Sequence, residues 1–216
     1  NPDSLSVLKS GTKQAKTYTI IERAGLKIGV VGANTSETIE QVFPGNLDYT
    51  DASGAKKTIT IDPGVTGINQ AIVDAKAAGA DLVIALVHQG WLENAGGVSK
   101  GVLNTMASQI KGAAAIYGGH SHQSYASVIP SSPRVAPTVL GQTRNSGVEY
   151  TRTQICMKYG KVVGQSIEHV LKSALATMTT GVVSTVTTQD VAAAALVKKY
   201  KDQLTEKLDV KIGQVS

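Results

Sequence analysis

Cysteine is nearly absent: Cys156 is the only one in 216 residues, so no intramolecular disulfide holds the fold. It lies in an alternating run and is expected to act as a small buried hydrophobe. Aromatic residues are scarce as well, at 4% with one Phe and one Trp, so the core has to be built from Ala, Val, Ile and Leu. That filling suits a buried sheet with packed helices and favours an α/β fold. Charged residues make up 17% against 42% hydrophobic, too little charge and too much apolar material for a disordered chain. No apolar run approaches the ~20 residues that a membrane-spanning helix needs, and no basic-then-apolar signal segment opens the chain. Lys and Arg exceed Asp and Glu by 21 to 16, yet no basic block is longer than Lys198-Lys199. Nucleic acid is therefore not an expected partner; a binder driven by this charge would show steeply salt-dependent affinity and little else.

Residues 1–16 have no sustained period and read as a lead-in loop. A hairpin follows, with Thr17 to Glu22 turning at Ala24-Gly25 into the β-rich run Leu26 to Val31. Residues 34–60 are polar and Gly-rich, a surface excursion in which Gly45-Asn46-Leu47-Asp48 reads as a turn. Asp62-Pro63 writes a helix start. The helix places Val65, Ile68, Ile72 and Ala75 on one face and stops at Gly79. Residues 82–87, LVIALV, form an unbroken apolar run too short for a helix, the mark of a buried parallel strand. Ser99 is expected to cap a second helix with Val102, Leu103, Met106 and Ile110 inward, and residues 113–117 are the next strand. From Gln123 onward the segments SYASVIP, APTVLGQ, EYTRTQICMK and KVVGQSIEHVLK have period-two character and are expected to pair antiparallel with one another. Asp190 to Leu208 reads as a helix with Leu196, Tyr200, Leu204 and Leu208 in one stripe, and with Lys198, Lys199 and Lys201 on a solvated face.

Three of the four histidines leave the ends of predicted buried strands: His88 after LVIALV, and His120 and His122 in Gly118-Gly119-His120-Ser121-His122. Ligands of α/β sheets gather outside the carboxyl ends of the strands, so these side chains are expected to share one crevice. Imidazole there is either a ligand for Zn, Mn, Fe or a similar ion, or a hydrogen-bonded surface group. In an extended segment the HxH spacing puts both rings on one face, within reach of neighbouring ions. His169 has no such placement and reads as structural or solvent-facing. Trp91 and Glu93 either line a pocket mouth or serve packing, and Arg144 and Asn145 either contact a substrate phosphate or decorate a turn.

The strings GLKIGVVGANT, AGADLVIALVHQG, YGGHSHQ and PTVLGQTRNSGVEYTRTQIC, in this order and at these separations, resemble the second half of the catalytic domain of the 5′-nucleotidase and 2′,3′-cyclic phosphodiesterase family. These are calcineurin-like metallophosphoesterases, with helices flanking two β-sheets. The resemblance covers roughly residues 17–170. It implies a C-terminal half of the metallophosphoesterase domain over residues 17–186 and, over 187–216, a connector helix toward a C-terminal domain that is absent from this sequence. It implies two divalent metal ions (Zn, Mn or similar), His88 and His120 sharing one and His122 holding the other. It also implies a nucleotide, cyclic nucleotide or other phosphate-ester substrate, with Arg144 and Asn145 as candidate contacts. Relatives of this type work in the periplasm, outside the cell or at its surface, and that location is the expectation.

The family's first half supplies an Asp-x-His motif, a Gly-Asp motif whose aspartate bridges the metals, and a Gly-Asn-His-Glu motif. None of these occurs here. Three imidazoles without a bridging carboxylate leave two divalent ions undercoordinated, so the segment alone is expected to be inactive and no catalytic residue is assigned in it. A chain that begins at Asn1-Pro2 without Met is expected to be part of a longer or nicked polypeptide whose N-terminal half completes the site. The alternative is a noncatalytic surface or assembly protein that retains the fold.

Overall fold

The computed structural model describes residues 9–10, 13–51, 53–61, 64–92, 101–129, 137–171 and 191–208. The chain divides into two compact units, Asn1–Lys172 and Ser173–Ser216.

The first unit opens with a two-residue ladder, β1 (Lys9–Ser10) against β2 (Lys13–Gln14). Next comes the hairpin of β3 (Tyr18–Arg23) and β4 (Leu26–Ala33). Its turn needs the left-handed backbone found at Ala24 (φ 49°) and Gly25 (φ 78°). The excursion that follows holds a short helix α1 (Thr38–Gln41), a 3-10 turn over Pro44–Leu47, and a small hairpin of β5 (Asp48–Thr50) and β6 (Lys56–Thr58). Thus Gly45, Asn46 and Leu47 do form a turn. At the β5–β6 hairpin, Asp51 Oδ1 accepts from Ser53 Oγ and from the Ser53 and Ala55 amides, and Lys57 lies 3.1 Å from its other oxygen.

The core is a six-stranded sheet in the order β3-β4-β7-β8-β10-β9, where β7 is Leu82–Val87, β8 Ala115–Tyr117, β9 Tyr125–Ile129 and β10 Thr138–Gln142. Strands β4, β7, β8 and β10 are parallel, and the two edges are antiparallel. One face is covered by α2 (Thr66–Ala77) and α3 (Val102–Gln109), which bring Ile68, Ile72, Ala75, Leu103 and Met106 against Val31, Val83, Ala85, Ile116 and Leu140. Close approach of α2 depends on Gly29, where a Cβ would lie 3.1 Å from that of Ala75 and 3.2 Å from Val83 Cγ2. Asn69 joins the helices by donating to the Gln109 carbonyl and accepting from the Lys111 amide. The expected caps at Asp62 and Ser99 lie outside the described residues.

The other face is covered at one side only. Strands β11 (Glu149–Lys158) and β12 (Lys161–Leu171) form a long hairpin bulged at Cys156 and Met157. The hairpin lies over β8 and β10: Thr153 accepts a 2.6 Å bond from the Tyr117 hydroxyl, Gln165 donates to the Ala114 carbonyl, and Ile167 reaches the Gly141 backbone.

Three sequence expectations are corrected, the first being Val102, which was expected inward on α3 and is exposed. Strand β10 pairs antiparallel with β9 but also parallel with β8, because its last four residues are all buried and make it a central strand instead of a member of a meander. Cys156 is exposed. It shares the outward parity of β11 with Arg152 and Gln154, whereas Thr151, Thr153 and Ile155 face the sheet.

In the second unit α4 (Val191–Leu208) is an 18-residue helix in which Leu196, Tyr200 and Leu204 are exposed and Lys198 pairs with Asp202 at 2.7 Å. No helix among the described residues is long and apolar enough to cross a membrane.

Ile116 is fully buried between α3 and the hairpin-covered half of the sheet. Ile116→Ala is expected to cost about 2–5 kcal/mol, read as a lower urea midpoint with an unchanged slope.

Candidate functional site

The parallel registers Ala33↔Val87 and Leu86↔Tyr117 end β4, β7 and β8 at one level, so the three following loops emerge side by side. The ladder runs one step further, with the His88 amide donating to the Ala33 carbonyl. His88 then stands at the end of β7 and His120 beyond β8, their ring centroids 5.1 Å apart and the planes at 73°. From the β4 loop Glu37 brings its Oε2 to 3.0 Å from His120 Nε2. Sequence reading missed Glu37; the one available signal is that this acid also follows the end of a buried strand.

His122 is exposed and has no partner among the interactions described. The expectation of an extended HxH segment is overturned, since His120 (φ 75°) and His122 (φ 57°) both have left-handed backbone. The cause lies in the turn. Past β8 the Ser121 amide closes onto the Gly119 carbonyl at 2.9 Å, and Ser121 Oγ donates to the Trp91 carbonyl at 2.5 Å. Non-glycine residues in this conformation cost on the order of 1 kcal/mol each, and they persist where surrounding contacts fix them.

Those contacts are buried and polar. Gln142, the last residue of β10 and 1% exposed, accepts from the Trp91 amide and donates to Ser121 Oγ and the Gln123 carbonyl, each at 2.8 Å. Gln89 accepts the Gly119 amide through its carbonyl, and its side chain meets Thr35 Oγ1 at 3.5 Å. Gly118 is required in this path: a Cβ there would run into the Leu103 side chain and sit 2.8 Å from the Gln89 carbonyl oxygen. Trp91 is buried and stacks on Tyr125 with centroids 4.5 Å apart, which gives it a packing role. Glu93 lies outside the described residues.

Arg144 and Asn145 are both exposed in the loop after β10. The Arg144 guanidinium lies 3.4 Å from Glu149, whose side chain is 1% exposed and also accepts the Arg144 amide at 2.8 Å. His169 is part of this cluster, with Nδ1 3.8 Å from Glu149 Oε1. Burial raises the Glu149 pKa, but the Arg144 amide, the Ser124 hydroxyl and the charges of His169 and Arg144 outweigh it and hold the carboxyl below the ordinary value.

Two imidazoles beside a carboxylate are chemistry that suits Zn or Mn. Among the described residues no three or more His, Cys, Asp or Glu side chains converge to hold an ion. On their own, His88 and His120 fit part of one ion's coordination. A separate concavity of roughly 710 Å³ lies over β3, β4 and β7, lined by Lys16, Tyr18, Thr19, Val30, Gly32 and Leu86 among others, and contains none of the histidines. This hollow is separate from the histidines at the strand ends.

No protein-family model and no curated protein sequence matches the chain. Solved structures do. The calcineurin-like phosphoesterase YfkN of Bacillus subtilis superposes with a TM-score of 0.55 at 20% identity, covering 88% of this chain and 58% of that one. A Staphylococcus aureus protein assigned as a 5′-nucleotidase, solved with α-ketoglutarate, gives 0.55 at 16% identity over 88% of this chain and 34% of its own. The NAD nucleotidase NadN of Haemophilus influenzae gives 0.51 at 13% identity over 87% and 37%. The chain has the calcineurin-like phosphoesterase fold, and it spans about a third to three fifths of the length of these neighbours.

Two outcomes follow from this geometry. Gly118→Ala is expected to destabilise by about 1–3 kcal/mol and to loosen the His120 turn, seen as a lower melting temperature and faster amide exchange at 118–122. For Glu149, whose folded pKa is lowered, the unfolded chain binds the proton more tightly. Its contribution to stability is thus complete above the ordinary carboxyl value of 4.5 and is lost as pH falls through the lower folded value. Glu149→Gln is expected to be less stable than the parent at pH 7, with the gap shrinking as pH drops below 4.5 in urea titrations.

Proposed function

We propose that this chain is part of a metal-dependent phosphohydrolase acting on nucleotides or cyclic nucleotides. The observation that carries the reading is the pairing of His88 with His120 at the carboxyl ends of adjacent parallel strands, in a chain with the calcineurin-like phosphoesterase fold. His88 and His120 would hold one divalent ion and His122 its neighbour. When bound, such a pair supplies Lewis acidity toward a phosphoryl oxygen and an activated water. Arg144, kept at the loop surface by buried Glu149, would receive the anionic phosphate beside Asn145.

The remaining ligands come from a region outside this sequence, the N-terminal half of the same fold. Two observations support this. The chain spans only part of each structural neighbour. Among the described residues, the sheet face over β3, β4 and β7 leaves Ile21 44% and Leu86 49% exposed, beyond the reach of the hairpin cover. A place outside the cytoplasm accords with the nucleotide-degrading role.

Hydrolysis of bis(p-nitrophenyl) phosphate and of 5′-nucleotides tests the reading. The 216-residue chain with added Mn²⁺ or Zn²⁺ is expected to stay at the metal-only blank, whereas a longer polypeptide that includes the upstream half turns over and is silenced by chelation. In that longer form His120→Ala is expected to lower kcat/KM more than about a hundredfold. A longer form that binds metal and cleaves no phosphate ester would instead favour a noncatalytic surface or assembly protein.

A further inference from the structure

We infer that Glu37 is a positioning residue for metal binding by His120, an assignment that rests on the metal-centre reading above. A carboxylate oxygen can only accept, so the 3.0 Å contact to His120 Nε2 requires the hydrogen to be on Nε2. In the neutral ring the lone pair is then on Nδ1, the other ring nitrogen. Metal-binding histidines are commonly fixed in this way, donating one ring N–H to a carboxylate and offering the other nitrogen to the ion.

The surroundings hold Glu37 for this task. Thr35 is 2% exposed, and its hydroxyl accepts the Glu37 amide at 3.2 Å while its carbonyl accepts from Thr38 Oγ1 at 2.7 Å. Gln41 Nε2 donates to Glu37 Oε2 at 3.4 Å, so the same oxygen is gripped from two directions. On the other partner, His120 has left-handed backbone (φ 75°), and its ring reaches across the strand ends to the loop after β4. The contact joins residues 83 positions apart and is the one side-chain link described between the loop after β4 and the histidine turn.

The test is Zn²⁺ affinity of the longer polypeptide that includes the upstream half, by calorimetry, read together with ¹H–¹⁵N spectra of the histidine rings at pH 8. Glu37→Ala is expected to weaken Zn²⁺ binding about 10- to 100-fold and to abolish the protected His120 Nε2–H signal. Glu37→Gln, whose amide oxygen still accepts, should recover much of both. Glu40→Ala, which alters an exposed acid on the same short helix, should change neither. If Glu37→Ala binds Zn²⁺ like the parent while His120→Ala does not, Glu37 has no part in the site and the metal reading stands. If the parent takes up no Zn²⁺, or His120→Ala leaves uptake unchanged, the metal reading fails and the Glu37 assignment with it.

Discussion

The site exists because β4, β7 and β8 run parallel and stop together. Parallel strands buried on one face by helices have to be apolar to their ends, and the first residues that can carry chemistry are those just past the last ladder pair. Ala33, Val87 and Tyr117 close the three strands, and Glu37, His88 and His120 follow within four residues of them. Packing of α2 and α3 sets that common level. A helix displaced by a side chain at Gly29 or Gly118 would shift one strand end against the others and part the two imidazoles.

Polar groups at the same end complete the constraint. Gln142, Gln89 and Thr35 are nearly inaccessible to water, yet Gln142 binds the Trp91 amide, Ser121 Oγ and the Gln123 carbonyl, and Gln89 meets Thr35. Buried amides in this state are costly unless satisfied, and satisfied they fix one arrangement. The left-handed turn at His120 is held by this network, so the orientation of its ring is a property of the sheet end as a whole. Below it, Glu149 ties Arg144, Ser124 and His169 together and couples the start of β11 to the same loops.

Much of this was legible in the sequence, and the failures have physical causes. The run at 82–87 reads as a parallel strand because nearly all of it is shielded, and the histidines stand out because each follows such a run. Strand β10 was misread since five residues are too few to separate alternation from a continuous apolar run, and only its pairing with β8 decides. Cys156 was misplaced because strand parity gives two faces without saying which is covered. Glu37 was invisible because its role arises from a contact across 83 residues, which no local spacing encodes. The backbone of the HxH motif is hidden for a related reason: the turn is held through Ser121 by Trp91 and Gln142, which lie in another loop and on another strand.

Anomalous diffraction at the zinc edge, from crystals of the longer polypeptide that includes the upstream half, grown with Zn²⁺, tests most directly that the strand ends form a metal centre. A peak bonded to ring nitrogens of both His88 and His120 is the predicted result. Peaks confined to surface carboxylates, with both rings free of metal, would contradict the account and leave a fold whose paired histidines serve only its structure.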